Sequence, residues 1–166
     1  MPRLTRIALL LALAACARTP APDGAFRNPG TPIYSNASLD FARLPGTWTQ
    51  AATFGTRCPP GGVTIAPDQS LRARLCLNGA AEQATGRITP TGPGRFRLDG
   101  AGGVLAQDWW VVWVDVGYRT LAIGTPSGDF GFILNRDGPL PPDRLAAAAE
   151  IFDFNSYDRT RLATLP

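Results

Sequence analysis

The chain has 166 residues and a formal charge of +3, carried by 16 arginines, with no lysine and no histidine. Without histidine there is no Ser-His-Asp or Cys-His arrangement and no imidazole-ligated metal. Without lysine there is no Schiff base and no phosphate-binding Walker lysine. The arginines form no run and no aromatic stripe lies among them, so nothing marks a nucleic-acid surface.

The chain opens with Arg3 and Arg6, followed by an unbroken apolar run over 7–15. Nine residues are too few to cross about 30 Å of hydrocarbon as a helix. Residues 1–15 therefore read as a signal peptide. Leu13-Ala14-Ala15-Cys16 matches a bacterial lipobox, in which the cysteine thiol takes a diacylglycerol and cleavage leaves Cys16 first. Each buried methylene contributes about 0.8 kcal/mol, and two or more acyl chains anchor stably. Ala17, not aspartate, follows the cysteine. No inner-membrane retention signal is present, which points to the outer membrane and its periplasmic face. Losing Arg3 and Arg6 with the leader takes the formal charge from +3 to +1.

With Cys16 acylated, Cys58 and Cys76 remain as an even pair in an oxidising compartment. A disulfide between them is expected, with two buried free thiols as the alternative. Two thiols do not make a four-ligand zinc site, so no metal and no cofactor are expected. Residues 16–33, with Pro20, Pro22, Pro29 and Pro32 plus Gly24 and Gly30, read as an extended, semi-stiff linker.

From residue 34 to 166 the chain reads as one domain. Eight short strands are expected, over 47–57, 61–66, 71–77, 83–89, 95–98, 109–115, 119–124 and 130–136. Pro67-Asp68, the 90–94 segment and Thr125-Pro126-Ser127-Gly128 are turns between them. A helix is expected over about 141–152, opened by Pro141-Pro142 with Asp143 in its first turn. Its stripe of Leu145, Ala148, Ala149 and Phe152 should pack on the outside of the sheet, leaving 153–166 as a tail. The fold class is all-β: an eight-stranded antiparallel up-and-down barrel with one C-terminal helix packed outside. Closure removes the exposed strand edges.

Three motifs in order carry a family resemblance. Leu44-Pro45-Gly46-Thr47-Trp48 resembles the Gly-x-Trp motif that opens the lipocalin fold. Val112-Trp113-Val114-Asp115-Val116-Gly117-Tyr118 resembles the second lipocalin motif, Asp-x-x-Tyr, with Val114 where threonine is frequent. Arg136 matches the arginine of the third. The 118–130 run and the 154–162 tail are similar to bacterial outer-membrane lipocalins and to the apolipoprotein D branch. The resemblance covers roughly 33–166. It implies that Trp48 closes the narrow end of the barrel with Arg136 across its ring, a cation–π pair contributing about 0.5–2 kcal/mol. It implies scaffold roles for Gly46, Asp115 and Tyr118 as well.

A ligand would then meet inward side chains nearer the open end. Period-two alternation from Trp48 predicts Gln50, Ala52 and Phe54 inward; alternation from Arg136 predicts Phe130, Phe132 and Leu134. In the sixth strand Trp110, Val112 and Val114 are expected inward. Alternatively, Trp109, Trp110 and Trp113 fill core on both faces of the wall. The expected ligand set is thus Gln50, Ala52, Phe54, Trp110, Val112, Phe130 and Phe132.

Three functions follow. The leading one is a lipid-anchored carrier of a hydrophobic small molecule, of fatty-acid or lysophospholipid class, working as a monomer or weak dimer. The second is an envelope interaction lipoprotein whose barrel is filled by its own side chains. The third is a carboxylate hydrolase or isomerase using Asp108, Asp115 or Asp129, each of which sits at a strand end or turn. Gly100, Gly102 and Gly103 make a loop rather than a phosphate cradle.

Overall fold

The computed structural model describes residues 24–166; the leader and Cys16 lie outside them. Eight strands follow one another as antiparallel neighbours: β1 (Gly46–Phe54), β2 (Gly62–Ile65), β3 (Ser70–Leu77), β4 (Ala80–Gly92), β5 (Arg95–Asp99), β6 (Trp109–Val114), β7 (Thr120–Gly124) and β8 (Gly131–Asn135). β1 closes the ring, pairing with β2 (Trp48↔Val63) on one edge and with β8 (Gln50↔Leu134) on the other. The barrel is closed, as the turn spacing predicts.

The helix α1 (Pro142–Phe154) follows, starting at a proline, whose fixed φ suits a first helical turn. It buries Ala148 and Phe152 against the outer wall. A short β9 (Leu162–Thr164), absent from the sequence reading, then pairs with β1 at Thr53↔Ala163. It covers the edge of β1 that the four-residue β2 leaves free. Three residues carry no periodicity, so this strand had no signal of its own.

Two apolar cores result. One fills the barrel; the other lies between the wall, α1 and the N-terminal segment. β7 and β8 separate the two and are buried at every residue. Tyr157 ties the outer core together. Its hydroxyl accepts the Thr125 N–H (2.8 Å) and lies 2.9 Å from the Phe130 carbonyl and 3.1 Å from that of Thr125. Burial pushes its phenol well above the ordinary tyrosine range.

Several boundaries differ from expectation for local reasons. β1 stops at Phe54 because Gly55 turns the chain at φ +90°. β4 runs through Pro90, which is tolerated at a bulge facing β5. The stretch read as linker is not free along its length. Ala25, Phe26 and Arg27 are buried on the barrel, and Arg27 bridges to Tyr157. The flanking prolines and glycines masked this short apolar anchor.

Tyr157→Phe keeps the ring packing with Phe54 and Phe152 but leaves buried backbone groups without their partner. It should cost about 1–3 kcal/mol, measured by urea unfolding.

Candidate functional site: the barrel interior and its two ends

Alternate hairpins place the connections after β2, β4 and β6 at one end of the barrel, together with the 3-10 turn Phe41–Arg43. The connections after β1, β3, β5 and β7 lie at the other.

The first end is stoppered. Trp48 is fully buried and its indole N–H donates to the Leu44 carbonyl at 2.9 Å. The Arg136 guanidinium lies 4.1 Å from the Trp48 ring centroid. Its N–H groups donate to the carbonyls of Tyr118 (2.6 Å), Arg43 (3.0 Å) and Pro45 (3.1 Å). Gly46 has φ +131°, and a side chain there would press on Arg136 at 3.2 Å. Asp115 accepts the backbone N–H groups of Arg119 (2.5 Å), Thr120 (2.6 Å) and Gly117 (3.2 Å). Tyr118 accepts the Asp40 N–H at 2.8 Å and carries the Arg43 guanidinium over its ring at 3.7 Å. The five motif residues therefore meet around one end.

Above this stopper the barrel is aromatic. Trp109 packs on Phe96, Phe130 and Phe132 with ring centroids 5.4–5.9 Å apart. The interior cluster is completed by Leu71, Leu75, Leu98, Val111, Ile123 and similar side chains, none of them charged.

Two β-bulges decide which residues face in. In β1 the register against β8 shifts between Gln50 and Ala52; in β6 it shifts against β7 between Val111 and Trp113. Each bulge adds one residue and flips the alternation beyond it. Ala52 and Phe54 thus face the outer core, contrary to expectation, while Thr53 turns inward against Phe132. Trp110 and Val112 are also outside; the inward positions of β6 are Trp109, Val111 and Val114. Trp110 instead lies under the Arg95 guanidinium, 4.7 Å away. Phe130 and Phe132 are in the interior cluster. The run Trp109-Trp110-Val111-Val112-Trp113 has no polar residue to mark its outer face, so its register was not readable.

Gln50 is buried but spent on architecture. Its carboxamide accepts the Cys76 N–H (2.7 Å) and donates to the Cys76 carbonyl (2.8 Å), which the Thr53 hydroxyl also reaches at 2.7 Å. Two side chains replace a strand where β2 has not yet begun. Cys76 also forms the expected disulfide with Cys58, fixing the β1–β2 connection to the rim.

The second end, the mouth, is covered by the β5–β6 connection. Its 3-10 turn Gly103–Ala106 buries Leu105, whose carbonyl accepts the Trp109 indole N–H at 3.1 Å. Gln107 latches this connection to the β7–β8 turn: its amide donates to Asp129 (2.7 Å) and accepts the Ser127 hydroxyl (2.6 Å). Asp108 pairs with Arg97 at 2.9 Å. At the other end of the segment, Gly102 and Gly103 have open space around them. Leu105 and Gln107 were missed, since nothing in a loop sequence signals a plug. Asp108, Asp115 and Asp129 are each held by these separate contacts, and among the described residues no group of three or more Cys, Asp or Glu is placed to hold a metal ion.

No family model matches the chain, and no curated protein matches it by sequence. Solved structures do. Apocrustacyanin C1 superimposes with a TM-score of 0.59 at 16% identity, over 88% of this chain and 92% of that one. Apocrustacyanin C2 gives 0.57 at 15%, with the same coverage. Lobster apocrustacyanin A1 gives 0.50 at 18%, over 73% of this chain and 76% of that one. The fold is the lipocalin fold. At these identities the likeness is one of fold alone, and the chemistry must be argued from this barrel's own residues.

Burial alone would raise the Asp115 carboxyl, but the N–H donors of Thr120, Arg119 and Gly117 outweigh it and hold it below the ordinary aspartate range. A depressed folded value contributes stability above the unfolded range, about pH 4, and loses it as pH falls. Asp115→Asn should be less stable than wild type at neutral pH, and the gap in melting temperature should narrow as the pH is taken down through that range.

Proposed function

We propose that this chain is a lipid-anchored carrier that holds one hydrophobic molecule, of fatty-acid or lysophospholipid class, inside its barrel. The observation that carries the reading is a barrel interior packed with aromatic and aliphatic side chains; among the described residues the buried charged ones, Arg27 and Asp115, sit on the outer wall and in the β6–β7 turn instead. Each methylene moved from water into such a lining contributes about 0.8 kcal/mol. The polar groups inside are already satisfied by backbone, so they present nothing that a polar ligand would match. The lipobox at Cys16, read from sequence, supports attachment to the outer membrane on its periplasmic side. The separate engagement of the three rim and turn aspartates favours a carrier over a carboxylate enzyme.

The rings around Trp109 touch one another, and Leu105 closes over them. Entry of an acyl chain therefore requires the β5–β6 connection to lift and Trp109 to move. That packing is also what favours the second reading, an envelope interaction protein with a permanently filled barrel. An outer groove of about 490 Å³ beside Arg72 and Arg74 would then be a place for a partner.

Native mass spectrometry of the unlipidated domain from Ala17 onward, with added palmitate, separates the two. The carrier reading expects one bound palmitate per chain. Gln107→Ala removes two latch hydrogen bonds of about 1 kcal/mol each and should speed uptake about tenfold or more. A bare chain mass across palmitate and lysophospholipids, with no uptake in the variant either, would leave the filled-barrel reading.

A further inference from the structure

We propose that Glu82, on the inner rim of the mouth, makes the barrel select amphiphiles whose head group carries an ammonium; the inference rests on the carrier reading. The register of β3 against β4 places the side chain. Leu75 stands opposite Glu82, and Ala73 opposite Ala84. Residues directly opposite in an antiparallel pair share a face. Leu75, Ala73 and Ala84 all belong to the barrel core, so Glu82 points inward with them. Its neighbours Ala81 and Gln83 are exposed on the outer face, whereas Glu82 is half-buried. It follows closely on the Asn78-Gly79 turn, which sets it at the rim, above the apolar lining. β5 pairs with β4 only from Arg87 onward. Beside Glu82 the wall is therefore completed by the 100–108 connection, which begins where Gly100 runs against Thr85. The carboxylate stands where the cover meets the rim.

Among the described residues that carboxylate has no hydrogen-bond or ion-pair partner. The arginines of this end do not face it. Arg74 lies on the outer face of β3. Arg97 is turned outward on β5 and pairs with Asp108 at 2.9 Å. Arg57 lines an outer cavity with Cys58 and Thr164. Across the mouth stands a second carboxylate, Asp129, held by the Gln107 amide at 2.7 Å. Lifting the 100–108 connection breaks that bond and leaves Asp129 unpaired as well. A ligand seated by its acyl chain keeps its head at this rim. A carboxylate head there meets like charge beside a low-dielectric wall, whereas an ammonium supplies the partner that Glu82 lacks. Burial of the chain is common to both, so palmitate still enters; the head sets the ranking.

The test uses the whole chain with Cys16→Ser, which takes no acyl anchor, and two pairs of probes matched in chain length. One pair is hexadecylamine and palmitate; the other is palmitoyl-lysophosphatidylethanolamine and palmitoyl-lysophosphatidylglycerol. Affinities are measured by competition in native mass spectrometry. Hexadecylamine should bind about fivefold or more tightly than palmitate. A like difference in the second pair extends the ligand class to phospholipid heads, and its absence confines it to simple amines. Glu82→Gln should remove the preference, tightening palmitate and weakening the amine. Asp137→Asn, which removes the same charge beside the stoppered end, should leave the ranking unchanged. Equal affinities for hexadecylamine and palmitate, tighter palmitate, or a preference that survives Glu82→Gln would overturn selection by Glu82 and leave the carrier reading standing. No uptake of any of the four probes would overturn the carrier reading and the selection with it.

Discussion

At Ala51 a single extra residue makes β1 serve two cores, and most of the molecule depends on it. Below the bulge, Trp48 and Gln50 face the barrel axis; beyond it, Ala52 and Phe54 face outward. Phe54 then packs on Phe152 and Tyr157 with ring centroids 4.9 Å away, and on Phe26 at 5.9 Å. The helix, the C-terminal tail and the N-terminal segment are thereby fastened to one strand. Without the shift, Phe54 would compete with the inward rings for space in the barrel, and the outer elements would lose their centre.

The same economy explains the ends. Arg136 joins three carbonyls and an indole face, so one cation fixes Trp48, the entry turn and the β6–β7 turn together. At the mouth, Gln107 does the equivalent with weaker, neutral contacts and one carboxylate. A guanidinium bonded to three carbonyls and stacked on an indole is costlier to displace than the two bonds of Gln107, one exposed and one part-buried. The asymmetry leaves a floor held by more and stronger bonds than the cover, and the proposed carrier requires that cover to open.

The architecture was legible because turn chemistry and strand length are local. Gly46, Trp48, Asp115, Tyr118 and Arg136 converge on one end where the family pattern implied a scaffold. The inward register was not legible. A bulge is a one-residue event, and in β6 both faces are apolar, so alternation gave no way to choose Trp109 over Trp110. Phe26 and Arg27 were hidden for a different reason: their partners, Gly128, Asn155 and Asp158, lie some hundred residues away. Leu105 acts as a plug only because the glycines before it let the connection fold back over the barrel.

Hydrogen–deuterium exchange on the protein with and without palmitate tests the central claim most directly, since it reports both where the ligand sits and what moves to admit it. The account predicts added protection across β6 and β8, around Val111 and Phe132, with changed exchange in the 100–108 connection and none at the outer wall of β2–β3. Protection confined to the groove beside Arg72 and Arg74, with β6 and β8 unchanged, would contradict it.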